Sequence, residues 1–97
     1  MTELAEKSDN VTQNMSDLIA EIARSLVDMP EEVKVEAIPD GDATLLRLKV
    51  APSDVGKVIG KQGRTARSLR TILSAAAMKT RSRFTLDIYE EDRGSRN

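Results

Sequence analysis

Residues 55–70 read VGKVIGKQGRTARSLR. The stretch holds three glycines (56, 60 and 63) and five basic side chains in sixteen residues, and it contains no acid. The whole 97-residue chain has a net charge of only −1, so this positive charge is concentrated rather than general. At its centre, Gly60-Lys61-Gln62-Gly63 places two residues between two glycines. Glycine permits positive φ and lets another backbone come close. A helix starting just after Gly63 would aim its free N–H groups and its dipole out of the turn. Lys61 adds a full charge and Gln62 a hydrogen-bonding group, so the local physics favours a phosphate seat.

Other phosphate motifs fit poorly. A P-loop needs four residues between its glycines and then Lys-Ser/Thr; Gly56 and Gly60 enclose three, and Gln62 follows Lys61. The dinucleotide fingerprint G-x-G-x-x-G fails because residue 58 is Val. Gly56-xxx-Gly60 matches a membrane-helix pairing pattern in letters only, since Lys57 and Lys61 accompany it.

The charge divides by segment. Residues 1–46 carry eleven acids against three bases, residues 47–83 ten bases against one acid, and residues 84–97 four acids against two bases. Between Asp54 and Asp87 there is no acid, yet Lys57, Lys61, Arg64, Arg67, Arg70, Lys79, Arg81 and Arg83 all fall there. A one-signed segment of this length suggests a face for a polyanion. The alternative is a solvated surface balanced by acids folded nearby.

Composition narrows the function classes. The chain has no cysteine and no histidine, which removes a disulfide framework, a thiolate site, the commonest general base and the commonest zinc ligand. With no clustered carboxylates in the glycine-rich region, no acid–base pair is credible, so neither an enzyme nor a cofactor nor a metal is expected. No run of 18 apolar residues occurs, and the polar start MTELAEKSDNVTQN lacks an apolar signal core. The expected location is the cytoplasm.

The length suits one domain. Residues 1–14 lack a sustained period and read as a disordered extension, residues 15–90 as the domain and residues 91–97 as a flexible polar tail. From Met15, the residues Leu18, Ile19, Ile22, Leu26 and Met29 recur at helical spacing until Pro30 stops the helix. Val33, Val35 and Ala37 alternate with polar residues, as do Leu46, Leu48 and Val50, and PDGDA (39–43) is a turn signal between them. An antiparallel strand pair follows. Pro52 opens a short helix over 52–59 that ends at Gly60. A second helix follows Gly63, with Ala66, Leu69, Ile72, Leu73 and Ala76 inward. MKTRSR (78–83) reads as a basic loop and FTLDIY (84–89) as a last strand with Phe84, Leu86 and Ile88 inward. The order α-β-β-α-α-β predicts an α+β fold, a three-stranded sheet with helices packed on one face.

VIGKQGRTARSLR inside this β-α-GXXG-α-β frame resembles a KH domain, the RNA-binding module whose GXXG loop clamps the backbone of single-stranded RNA. The helix and strand ahead of that core resemble the type II arrangement of bacterial proteins. LVDMPEEVKVE and VAPSDVGKVIGKQGRTARSLRTILSAAA are similar to the small stand-alone KhpA family. The resemblance covers about three quarters of the chain and leaves the first fourteen residues outside.

The resemblance implies a groove. One wall is the short helix, the loop Gly60, Lys61, Gln62 and Gly63, and the next helix; the other is a strand and the variable loop before it. Carried onto this chain, Val55, Lys57, Val58 and Ile59 lie on one flank of the loop and Arg64 and Arg67 on the other. Lys79, Arg81 and Arg83 belong to the variable loop. The resemblance further implies self-pairing or pairing with a larger KhpB-type KH protein, and an RNA chaperone or post-transcriptional regulator. Alternatives remain at single positions. Val58 and Ile59 suit a core as well as a groove, Arg70 is expected to be solvated, and Arg47 and Lys49 read as edge-protecting charges. Two rival functions stay open: a helix-turn-helix DNA binder, with Arg64, Thr65 and Arg67 opening a recognition helix, and a module whose task is dimerisation or docking of a partner.

Overall fold

The alternation across residues 33–50 closes as a hairpin around Gly41 and Asp42. In a computed structural model, which describes residues 2–90 and side chains from residue 10, β1 (Lys34–Asp40) and β2 (Ala43–Lys49) pair antiparallel, with Asp40 opposite Ala43 and Lys34 opposite Lys49. Only two residues separate the strands, and Gly41 takes φ +65, the positive φ at the first central position that suits a tight hairpin. Upstream lies α1 (Thr2–Leu26), followed by a 3₁₀ turn at Pro30–Glu32. Downstream come a 3₁₀ turn at Pro52–Asp54, α2 (Val55–Ile59), a turn at Lys61–Gly63, α3 (Arg64–Lys79) and β3 (Phe84–Ile88). The fold is α+β, in the expected element order.

β2 is the central strand, because β3 joins its free side in parallel, with Leu46 opposite Leu86 and Leu48 opposite Ile88. Parallel neighbours need a crossover, and α2 and α3 supply it. The glycine loop is therefore the corner of that crossover. One sheet face packs the helices: α1 lies against β1 and α3 against β3. Leu46, Leu48, Phe84, Leu86 and Ile88 meet Met15, Ile19 and Ala23 of α1, Val58 of α2, and Ala66, Leu69, Leu73 and Ala77 of α3 in one core. Truncating a fully buried leucine such as Leu46 to alanine typically costs ~2–5 kcal/mol.

Several elements differ in detail from the periodic reading. α1 begins at Thr2 rather than Met15, and Val11 packs against the core, so the helix runs back through residues expected to be an extension. Its buried stripe is Met15, Ile19 and Ala23, while Leu26, the last residue of the helix, and Met29 beyond it are each 39% exposed. Ala37 is exposed, since the hairpin end of β1 runs out from under the helices. In α3 the inward set is Ala66, Leu69, Leu73 and Ala77, and Ile72 is turned outward at 42% exposure. The tail expected over 91–97 lies outside the described residues.

Candidate nucleic-acid interface

Gly60 has φ 78 and ψ 173, a conformation essentially restricted to glycine. Its N–H donates to the Gly56 carbonyl at 2.8 Å and closes α2. The Gly63 N–H returns to the Gly60 carbonyl at 3.1 Å. Gln62 (φ 54) and Gly63 (φ 73) are both left-handed, and this consecutive pair swings the chain straight into α3. Lys61 and Gln62 are exposed at the tip, and no side chain caps α3 at Gly63. The first turn of that helix is thus presented beside a lysine ammonium, the arrangement that suits a phosphate.

From this corner, α3 runs about 24 Å at 1.5 Å per residue, with β3 alongside it in the opposite sense. At the far end the helix stops in a Schellman motif. The Ser82 N–H donates to the Ala77 carbonyl at 3.0 Å and the Arg81 N–H to the Met78 carbonyl at 3.1 Å, with Arg81 itself left-handed at φ 57. Glycine is usual at this position, and here an exposed arginine holds it. Lys79, Arg81 and Arg83 surround this end, Arg83 within 4.0 Å of Asp42 in an exposed pair. The two basic clusters therefore stand at opposite ends of one helix.

Between them, the seam of α3 and β3 is open. A cavity of about 530 Å³ lies at the glycine end, lined by Ile59, Gly63, Arg67, Arg70, Ile88 and Glu90 among others. A smaller one, about 250 Å³, lies toward Phe84 and Leu73. Arg70 lines both. Thr44 N–H donates to the Arg83 carbonyl and Tyr89 N–H to the Leu48 carbonyl, a phase that leaves the Leu86 carbonyl on the outer edge of β3. Arg70 Nε reaches that carbonyl at 3.3 Å.

Residues 16–88 match the family model described as KhpA/KhpB, KH domain. The chain belongs to the KhpA/KhpB family of KH domains. Among its relatives, the RNA-binding protein KhpA of Treponema pallidum is 54% identical over 74 residues, which is 76% of this chain and 92% of that protein. RNA-binding protein KhpA of Clostridium acetobutylicum is 50% identical over 74 residues, 76% of this chain and 99% of that one. RNA-binding protein KhpA of Halalkalibacterium halodurans is 49% identical over 76 residues, covering 78% and 100% respectively. No solved structure matches the chain.

Within this KhpA/KhpB domain, the expected site residues separate. Gly60, Lys61, Gln62, Gly63, Arg64 and Arg67 gather at the corner, Ile59 lines the cavity, and Lys79, Arg81 and Arg83 stand at the far end. Val58 is fully buried in the core and offers nothing to a ligand. Val55 is half-buried. Lys57 Nζ lies 3.4 Å from Asp28 Oδ2 and 3.6 Å from Asp54 Oδ1, so both partners are acids of the domain itself. Arg70 is exposed, as expected, and its side chain also lines both cavities. Its helical spacing from Arg67 could have marked it, because residues three apart share a helix face.

Asp54 is the other residue that local pattern missed. It precedes α2, yet its carboxylate does not cap that helix. It is 1% exposed and accepts the Asp28 N–H at 3.2 Å and the Met29 N–H at 3.0 Å. Burial opposes its ionisation, but those two N–H groups and the Lys57 ammonium outweigh burial and hold the carboxyl below its ordinary value of 3.8.

Proposed function

We propose that this KH domain binds single-stranded RNA, with Gly60-Lys61-Gln62-Gly63 gripping the backbone and the α3–β3 seam receiving the bases. The observation that carries this reading is the loop. Three positive-φ residues, two of them glycine, deliver an uncapped helix start and an exposed lysine to one point at the mouth of an open seam. The names of the relatives, each an RNA-binding protein KhpA, support the same ligand class. Arg64 and Arg67 flank the grip, Arg70 lines the seam, and Lys79, Arg81 and Arg83 hold the strand where it leaves. Val58 and Lys57 drop out of the contact set. The domain works in the cytoplasm as an RNA chaperone or post-transcriptional regulator, without catalysis. Duplex DNA suits the site poorly, because α2 has only five residues and strands bracket the helix pair.

The test is a pair of anisotropy titrations, single-stranded RNA against duplex DNA, each repeated across a salt series. Three or four phosphate contacts predict a log–log salt slope of roughly −2 to −3 for the RNA. Preference for the duplex would contradict the reading.

A second reading, pairing with another copy or with a KhpB-type KH protein, is favoured by Ile72 and Met78. They are 42% and 72% exposed on α3, although both are large and apolar. Two paired grooves would strengthen a weak single-groove contact through effective concentration. Sedimentation of the wild type beside Ile72→Lys tests self-pairing: the substitution shifts the population toward monomer, and a wild type that is monomeric at every concentration contradicts pairing with another copy.

A further inference from the structure

We propose that Asp54 is a positioning residue for the glycine loop: its buried carboxylate latches the segment between α1 and β1 to the start of α2 and draws Lys57 into that latch. The inference rests on the reading that the loop grips RNA. α2 is a single short helix of five residues, too brief to hold its own direction by propensity. It ends directly in Gly60, so whatever fixes its start aims the loop. Asp54 is the only buried charged residue among those described. A buried carboxylate is costly unless it is fully hydrogen-bonded. Both of its backbone donors, Asp28 and Met29, come from the chain that leaves α1. Lys57, one turn further along α2, closes the arrangement by reaching both Asp54 and Asp28.

The consequence for binding differs from that of a phosphate contact. Loosening the latch lowers the fraction of molecules with the loop aimed correctly, and apparent affinity falls by that fraction. The bound state keeps the same phosphate contacts, so the salt slope stays unchanged. Removing a lysine that touches a phosphate lowers the slope by about 0.7 for a single strand.

The experiment compares the full-length wild type with Asp54→Asn, Lys57→Met and Lys61→Met. It uses a fluorescein-labelled single-stranded RNA oligonucleotide across a salt series, below each protein's melting range. The latch predicts that Asp54→Asn binds about tenfold more weakly with the slope unchanged. Lys57→Met also weakens binding without changing the slope, whereas Lys61→Met lowers the slope. A folded Asp54→Asn with wild-type affinity overturns the proposal, as does a slope change of about 0.7 in Lys57→Met. If Asp54→Asn does not fold, Lys57→Met decides alone: weaker binding at constant slope supports the latch, and wild-type affinity refutes it. A wild type that binds no RNA refutes the RNA reading instead. Amide exchange then still tests the latch, which predicts faster exchange at residues 60–63 in the variants than in the wild type with β2 unchanged, and equal exchange at 60–63 in variants and wild type refutes it.

Discussion

Thr65 sits against Gly60 so closely that a Cβ at residue 60 would fall 2.8 Å from the Thr65 Cβ and 2.9 Å from its backbone nitrogen. Gly63, three residues on, has nothing within 4 Å of the same built position. The two glycines of one motif therefore do different work. Gly60 answers both a conformational demand and a close approach, and Gly63 answers the conformational demand only. Gly63→Ala should cost about 1–2 kcal/mol, the penalty for a left-handed residue. Gly60→Ala should cost clearly more, because the backbone of α3 has to move as well. Urea denaturation of the two variants checks the order; equal losses would count against the packing described.

Arg81 occupies the left-handed position of the Schellman motif that ends α3, where glycine is free of the Cβ penalty. Arg81→Gly should therefore raise stability by up to about 1 kcal/mol while weakening RNA binding, as expected where a strained residue serves a contact. A thermal melt beside an anisotropy titration reads both.

Arg70→Ala should weaken RNA binding several-fold with little change in fold, because its guanidinium lines both cavities and is exposed, with a part-buried hydrogen bond to the Leu86 carbonyl at 3.3 Å. An affinity unchanged by this substitution would leave Arg70 as an exposed side chain with no part in binding.

The Asp54 carboxyl is held below 3.8 in the folded protein. A group with a depressed folded value binds its proton more readily when unfolded. Its contribution is therefore fully present above about pH 4, the unfolded carboxylate range, and is lost as pH falls through the folded value. Denaturation midpoints measured from pH 6 downward should drop less steeply for Asp54→Asn than for the wild type in that acid range. The variant should already be the less stable of the two at neutral pH.

The legible parts of this molecule were those governed by local period. Alternation in β1 and β2 located the hairpin, and Asp-Gly located its turn. The glycine pair located the corner, with its basic flanks. What stayed hidden depends on tertiary partners. Ile72 lies off the α3 stripe, and hydrophobicity alone assigned it inward; Arg70 is exposed as its helix position suggests, and its contact with the Leu86 carbonyl at the seam has no local signature. Nothing local marks Asp54, because the backbone N–H groups it accepts lie 25 and 26 residues earlier. The pairing of Lys57 with Asp28, 29 residues earlier, was equally hidden. The parallel join of β3 to β2 had no signature in either strand. Val11 shows why α1 extends upstream of Met15: one apolar residue amid polar ones packs an extra stretch of helix against the core.

If the exposed tip of the corner holds the RNA backbone, Lys61→Asp with Gln62→Asp removes that hold. Both side chains are exposed, so folding loses little. Aspartate tolerates the left-handed backbone at residue 62, and acids near the start of α3 suit its dipole. The change replaces one positive charge with two negative charges where the phosphate is to sit. Anisotropy titration with single-stranded RNA, beside a circular dichroism melt, should show a folded protein that no longer binds. A folded double variant with wild-type affinity would contradict the account.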